Sequence, residues 1–233
     1  LLVAAACGVG PQTPAAAPAT RSASSVPRSP SSTDRPTLPA RAVVETEPGA
    51  PIGVADIDGS AWFALDGSGE VRTGDGGTVA VGSHPLRLAP APGGGAWVSL
   101  FGESEMVRVG ADGTVRARVP FRGKPEGIAE DGGQLWVVDA AGDAAVLLDA
   151  ATGKERDRVP VPPGPRLLSL VGSTVWVSSF ATGAVTGIRR DGLRVAVQRD
   201  GVCRGPHGVL ESGSTVWVAC TAENVEPDSR TPC

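Results

Sequence analysis

The chain has 233 residues, a formal net charge of −4, 32 glycines, 21 prolines and no tyrosine. Because no basic stripe accompanies this acidic balance, a nucleic-acid partner is not expected. The roughly 185 residues after the N-terminal tract suffice for a sizeable hydrophobic core.

The N-terminal tract differs in composition from the rest of the chain. Residues 1–7 are apolar or small and end at Cys7, and residues 8–42 are rich in Pro, Ala, Ser and Thr. The second segment lacks the apolar content to pack, so we predict a disordered tether. The whole pattern resembles the end of a bacterial lipoprotein signal peptide, which implies an exported, cell-envelope protein acylated at Cys7; a secretory signal with an incidental cysteine is the alternative.

Tryptophans recur along the remaining chain at steps of 35, 39, 40 and 41 residues, and a proline precedes each by eleven or twelve residues. A repeat of about 40 residues indicates propeller blades or solenoid units. The tryptophans are Trp62, Trp97, Trp136, Trp176 and Trp217, and the prolines are Pro51, Pro85, Pro125, Pro165 and Pro206.

Each repeat divides into short strands separated by turns such as Asp112-Gly113 and Thr152-Gly153, which are hairpin signals in series. Several strands are apolar at neighbouring positions, as expected for sheets buried on both faces. We therefore predict an all-β fold, a β-propeller of four-stranded antiparallel blades, with the tryptophans packed in the blade cores.

The predicted domain boundaries are a signal-peptide remnant at 1–7, a disordered linker at 8–42 and the propeller repeats at 43–233. About five repeats are present, and the last contains only its first two strands. Propellers close by pairing the ends of the chain, and Arg41–Thr46 is our candidate for the closing strand. We expect a fragment of a six- or seven-bladed ring, and a true five-bladed ring is the alternative.

The four cysteines are Cys7, Cys203, Cys220 and Cys233. Disulfides persist in exported proteins. With Gly213 at the centre of a hairpin turn, Cys220 lies within a few residues of Cys203, so we predict a disulfide between them. Their spacing is not a zinc pattern, and Cys233 is left without a predicted role.

The repeat unit resembles the YVTN/NHL-type repeats of bacterial β-propeller proteins, most closely in Pro125–Val161 and Pro206–Cys220. The same superfamily includes the virginiamycin B lyases, which open a cyclic depsipeptide by elimination, using a histidine and glutamates at the propeller mouth with a divalent cation. The Pro206-His207-Gly208 sequence, followed by Glu223, is similar to part of such a site, and the resemblance therefore implies a lyase-like activity.

The candidate site follows from the position of the prolines. The residue after each proline opens the innermost strand of its blade, near the mouth of the central channel, and the residues before two prolines are His84 and Lys124. The loops after the tryptophan strands are expected to add Glu103, Glu105, Asp139, Asp143 and Glu223. The five post-proline residues are Ile52, Leu86, Glu126, Arg166 and His207.

Within this set we select His84, Glu126, Arg166 and His207 as binding residues, with Glu126 and Arg166 as an expected ion pair. His207 could act as a general base that Glu223 or Glu126 orients. No cofactor is required, although a histidine with carboxylates could hold a divalent metal.

Two function classes remain. The first, which we favour, is a membrane-tethered binding or scaffold propeller whose mouth takes a protein, peptide or small-molecule ligand. The alternative is a virginiamycin B lyase-like enzyme, or a hydrolase, acting at the channel. The sequence has no Gly-rich phosphate motif, serine nucleophile elbow or His-Glu-x-x-His zinc motif.

Overall fold

The computed structural model describes residues 4–5, 50–212 and 215–221, and it contains no helix within these ranges. Nineteen strands are found there. In chain order they are β1 (Ala4–Ala5), β2 (Pro51–Ile57), β3 (Ser60–Leu65), β4 (Glu70–Arg72), β5 (Thr78–Ala80), β6 (Pro85–Pro90), β7 (Ala96–Leu100), β8 (Glu105–Val109), β9 (Val115–Pro120), β10 (Pro125–Asp131), β11 (Gln134–Asp139), β12 (Ala144–Asp149), β13 (Glu155–Pro160), β14 (Pro165–Val171), β15 (Thr174–Ser179), β16 (Ala184–Arg189), β17 (Arg194–Arg199), β18 (Pro206–Ser212) and β19 (Thr215–Cys220).

The strands form five antiparallel sheets that correspond to the five repeats. The first four sheets each contain four strands in sequence order, from β2–β5 to β14–β17. The fifth consists of β18 and β19, with β1 paired to the far side of β19. The predicted fold class, a β-propeller of four-stranded antiparallel blades, is confirmed, and we call the sheets blades 1 to 5 in chain order.

The tryptophans pack blade cores in the first part of the chain. Trp97 and Trp136 are fully buried and Trp62 nearly so, and Nε1 of Trp97 donates a 2.8 Å hydrogen bond to the Ala150 carbonyl oxygen in the next blade. Trp217 departs from the prediction, because 38% of its surface is exposed. It lies in the last described blade, where no following blade covers it within the described residues.

Several predicted features fall outside the described residues. They are the lipidation site Cys7, the linker 8–42, the closing strand Arg41–Thr46, Glu223 and Cys233. Within the described ranges, no helix is long and apolar enough to cross a membrane.

Candidate functional site

A β-bulge follows the proline that opens the first strand of every repeat. In blade 5, Pro206 pairs with Cys220 and Gly208 pairs with Ala219, so His207 is an extra residue without a partner of its own. Irregularities of the same kind follow the other four prolines. Bulges bend a strand and re-aim its side chains. The five predicted mouth residues therefore owe their position to one repeated backbone feature.

These five side chains converge on a cavity of about 470 Å³, which we call the mouth. That volume suits a small-molecule ligand. This geometry agrees with the prediction that the post-proline residues lie together at the mouth of the channel. His84 also lines the cavity. The complete lining is Pro51, Ile52, Asp66, His84, Leu86, Arg87, Phe101, Glu126, Arg166 and His207.

Glu126 and Arg166 form the expected ion pair between blades 3 and 4, with 3.7 Å between Nε and Oε1. The Glu126 side chain is 9% exposed, whereas that of Arg166 is 48% exposed and stacks over the Phe180 ring at 4.7 Å. Burial raises the pKa of Glu126, and the positive charges of Arg166 and Arg87 act against this rise.

Arg87 is a mouth residue that the sequence analysis missed. Its Nη1 donates 2.8 Å hydrogen bonds to the carbonyl oxygens of Ile52 and Leu86, so the guanidinium crosses from blade 2 to the inner strand of blade 1. Burial lowers the pKa of Arg87, while the charge of Glu126 raises it and that of Arg166 lowers it. The side chain nevertheless stays charged at neutral pH, because arginine does not deprotonate in proteins.

His207 is half-buried, and its ring contacts that of Phe180 edge to face, with 6.5 Å between the ring centroids. Burial lowers the pKa of His207, and the positive charges of Arg87 and Arg166 lower it further. The imidazole is therefore favoured in its neutral form near pH 7, as a general base or hydrogen-bond acceptor requires.

His84 lies at the rim, where its Nδ1 is 2.8 Å from Oδ1 of Asp66. Its backbone has φ 53°, a left-handed conformation that is costly for a residue with a Cβ. At the equivalent pre-proline position, Ala50, Gly164 and Gly205 also have positive φ values, of 50°, 73° and 61°. A histidine kept in a strained position beside a cavity is a candidate functional residue.

Other mouth residues could have been predicted from their spacing, because they lie four positions after a tryptophan. In every blade the backbone N–H of the residue at this position donates to the carbonyl oxygen of the pre-proline residue, which brings the two loops together. At this position Asp66 and Phe101 line the cavity and Phe180 contacts Arg166. Ala140 and Thr221 occupy it in blades 3 and 5.

The loop carboxylates that were expected at the mouth serve other contacts, so this part of the prediction is wrong. Asp139 is 1% exposed and accepts hydrogen bonds from the backbone N–H groups of Lys124, Ala141 and Gly142 and from Arg158. The other three described carboxylates likewise bind backbone N–H groups or arginine rather than line the cavity. They are Glu103, Glu105 and Asp143.

Cys203 and Cys220 are joined by a disulfide with a Cα–Cα distance of 6.2 Å. It ties the loop before β18 to the end of β19, directly beside the Pro206–Cys220 register pair. The predicted pairing of Cys203 with Cys220 is therefore present in the structure. The bridge holds the strand that carries His207 against its neighbour at the mouth.

The described residues do not provide the divalent-cation site that the lyase resemblance implies. Among them, no three side chains of the His, Cys, Asp or Glu type lie close enough together to hold a metal ion. The guanidiniums of Arg87 and Arg166 line the mouth with Asp66 and Glu126, and their positive charges oppose a cation there.

No family model and no curated protein matches the chain. Among solved structures it is similar to a catalytically inactive histidine-to-alanine variant of virginiamycin B lyase from Staphylococcus aureus, solved with quinupristin, at 17% identity and a TM-score of 0.61, over 76% of this chain and 64% of that one. A streptogramin B lyase structure has 19% identity and a TM-score of 0.60 over 76% and 64% of the two chains.

Hydrazine synthase from Kuenenia stuttgartiensis is also similar, at 16% identity and a TM-score of 0.60, over 75% of this chain and 55% of that one. The chain thus spans just under two thirds of the length of the lyases. At these identities, the likeness establishes the β-propeller fold alone.

Proposed function

We propose that the protein is an exported β-propeller that binds a small ligand at the mouth. The observation that carries this proposal is the convergence of bulged residues from all five blades on one cavity of about 470 Å³. Three of the five are polar and come from blades 3, 4 and 5: Glu126, Arg166 and His207. Partly buried charges are costly without partners, which favours a ligand that completes their interactions.

Export and tethering belong to this proposal. The Cys203–Cys220 disulfide supports export, because such bridges persist in oxidising compartments. A lipid on Cys7, followed by the tether, would hold the propeller at the cell envelope. Cleavage before Cys7 would remove β1, the strand that pairs with β19.

The anchor is tested by Cys7→Ala and by membrane fractionation. The variant is expected in the soluble fraction, whereas wild-type protein sediments with membranes. Equal membrane retention of the two proteins would show that Cys7 is not the anchor. Non-reducing peptide mapping of the exported protein should recover Cys203 linked to Cys220, and free thiols at both would remove the support for export.

The mouth is tested by a thermal-shift screen of small peptides and metabolites against the purified protein, followed by titration of the hits. His207→Ala should weaken their binding by about tenfold, or roughly 1.4 kcal/mol. Leu210→Ala, on the exposed surface and outside the cavity lining, is the control and should leave binding unchanged. If the affinities of the His207→Ala protein are unchanged, the binding surface lies elsewhere.

A second candidate is a lyase-like activity at the same mouth. Two observations favour it: the neutral imidazole of His207 beside two arginines, and the likeness to lyases whose histidine-to-alanine variant is inactive. In a β-elimination, His207 would take the proton from a carbon next to a carbonyl. A carbon–carbon double bond would form as the carbon–oxygen bond of the ester breaks, and Arg87 and Arg166 would stabilise the carboxylate that leaves.

Incubation with quinupristin, followed by chromatography and mass spectrometry, tests the second candidate. Elimination yields a linear product of unchanged mass, whereas hydrolysis adds one water. Ring opening that disappears in His207→Ala would support the lyase function. An intact substrate with the wild-type protein would rule out this activity toward quinupristin and leave the binding function.

A further inference from the structure

We propose that the ligand of the mouth carries a carboxylate group, which is held between Arg87 and Arg166. This inference rests on the proposed ligand-binding function and specifies its chemistry. Both guanidiniums line the same cavity although they come from blades 2 and 4. Glu126, from the blade between them, is the anion whose charge acts on both.

The charges at the mouth do not balance around this pair. One carboxylate faces two guanidiniums, and the two guanidiniums repel each other, because the charge of Arg166 acts on Arg87. Asp66 also lines the cavity, but its Oδ1 is 2.8 Å from Nδ1 of His84 at the rim. The charges of Asp66, Glu126, Arg87 and Arg166 sum to zero over the whole lining. Because Asp66 lies at the rim, Glu126 is the carboxylate whose charge acts on both guanidiniums.

Both arginines are held in place by contacts that leave room for a ligand. Among the described residues, the side-chain hydrogen bonds of Arg87 are both donated by its Nη1 atom, which leaves its Nε and Nη2 donors for a ligand. Arg166 is positioned by the Phe180 ring, and its 3.7 Å separation from Glu126 is too long for a hydrogen bond. A guanidinium carries five donors in a planar fork that matches the two oxygens of a carboxylate.

The rest of the lining indicates what accompanies the carboxylate. Ile52, Leu86 and Phe101 contribute apolar surface to the same cavity. A singly charged carboxylate adds less negative charge beside Glu126 than a phosphate group, which carries about −1.5 to −2 near neutral pH. The expected ligand is therefore an organic acid with an apolar body, such as a peptide with a free C-terminus.

Calorimetric titration at low salt with N-acetylphenylalanine, its uncharged amide and inorganic phosphate tests this inference on the full protein. The acid should bind roughly tenfold more tightly than the amide and than phosphate. Arg166→Gln should weaken binding of the acid roughly tenfold, and Arg87→Lys, which keeps the charge but loses the fork, should also weaken it. Arg116→Gln is the control, since Arg116 pairs with Asp112 on an exposed turn.

The outcomes separate this inference from the function on which it rests. If the acid and the amide bind equally well and His207→Ala weakens both, the mouth binds ligands but the carboxylate assignment is wrong. Tighter binding of phosphate than of the acid would also overturn that assignment. If neither organic compound binds and phosphate does not bind either, the carboxylate inference fails, while screen hits that require His207 would keep the mouth as the binding site.

Discussion

The Ser178 hydroxyl donates a 2.8 Å hydrogen bond to the backbone carbonyl oxygen of His207 in the next blade. Ser99 makes the same bond, also 2.8 Å, to the carbonyl oxygen of Glu126. Both serines are fully buried and stand two residues after a tryptophan. The other repeats have Ala64, Val138 and Ala219 at this position. The two serines thus bind the bulged residues of the next blade, Glu126 and His207, whose side chains line the mouth.

Ser178→Ala is expected to cost about 1–3 kcal/mol of stability, because it removes a donor from a buried carbonyl group. Urea unfolding measures this loss. Ser173→Ala, on an exposed turn of the same blade, is the control and should change stability little. Equal unfolding midpoints for the two variants would show that the Ser178 bond does not stabilise the bulge.

His84→Gly and His84→Ala test the strain at the rim, because they differ only in the Cβ. At a negative φ, alanine would be the more stable by about 0.5–1 kcal/mol. At the φ of 53° found here, the left-handed cost of about 1–2 kcal/mol for a residue with a Cβ should reverse this order. Thermal unfolding of both variants decides the matter, and a more stable alanine variant would mean that the backbone at residue 84 is not strained.

Gly127→Ala tests the close approach of two inner strands. A Cβ at Gly127 would lie 2.7 Å from the carbonyl oxygen of Arg166, whereas one at Gly208 would have its closest neighbour at 3.7 Å. Gly127→Ala should therefore lose about 1–3 kcal/mol of stability, while Gly208→Ala should be much milder. Similar losses in the two variants would contradict the proposed reason for glycine in the Pro-x-Gly motif.

The titration of His207 gives a prediction of pH dependence. Because its pKa is lowered in the folded protein, the unfolded chain binds this proton more tightly. Stability from this group is thus fully present above the ordinary pKa near 6.5 and is lost as the pH falls below that value. Arg166→Gln should move the pKa of His207 back toward 6.5, as NMR titration of the ring can measure, and Arg116→Gln should leave it unchanged.

Most of the fold and part of the mouth could be predicted from the sequence, because both depend on features that repeat. The Pro-to-Trp interval sets the inner strands, and the residue after each proline occupies the bulge. Arg87 was missed because its position depends on the reach of one long side chain across two blades. The loop acids were misassigned because local backbone N–H groups bind carboxylates such as Asp139, an interaction with no periodic signal.

The most direct test of the central claim fills the mouth without changing its charges. Leu86 lines the cavity, and Leu86→Trp should occupy the space that a ligand needs. Leu210→Trp, on the exposed surface of β18 and outside the cavity lining, is the matched control. In calorimetric titrations with ligands found in the screen, the account predicts that binding is lost in Leu86→Trp and kept in Leu210→Trp. Undiminished binding to a folded Leu86→Trp protein would contradict it.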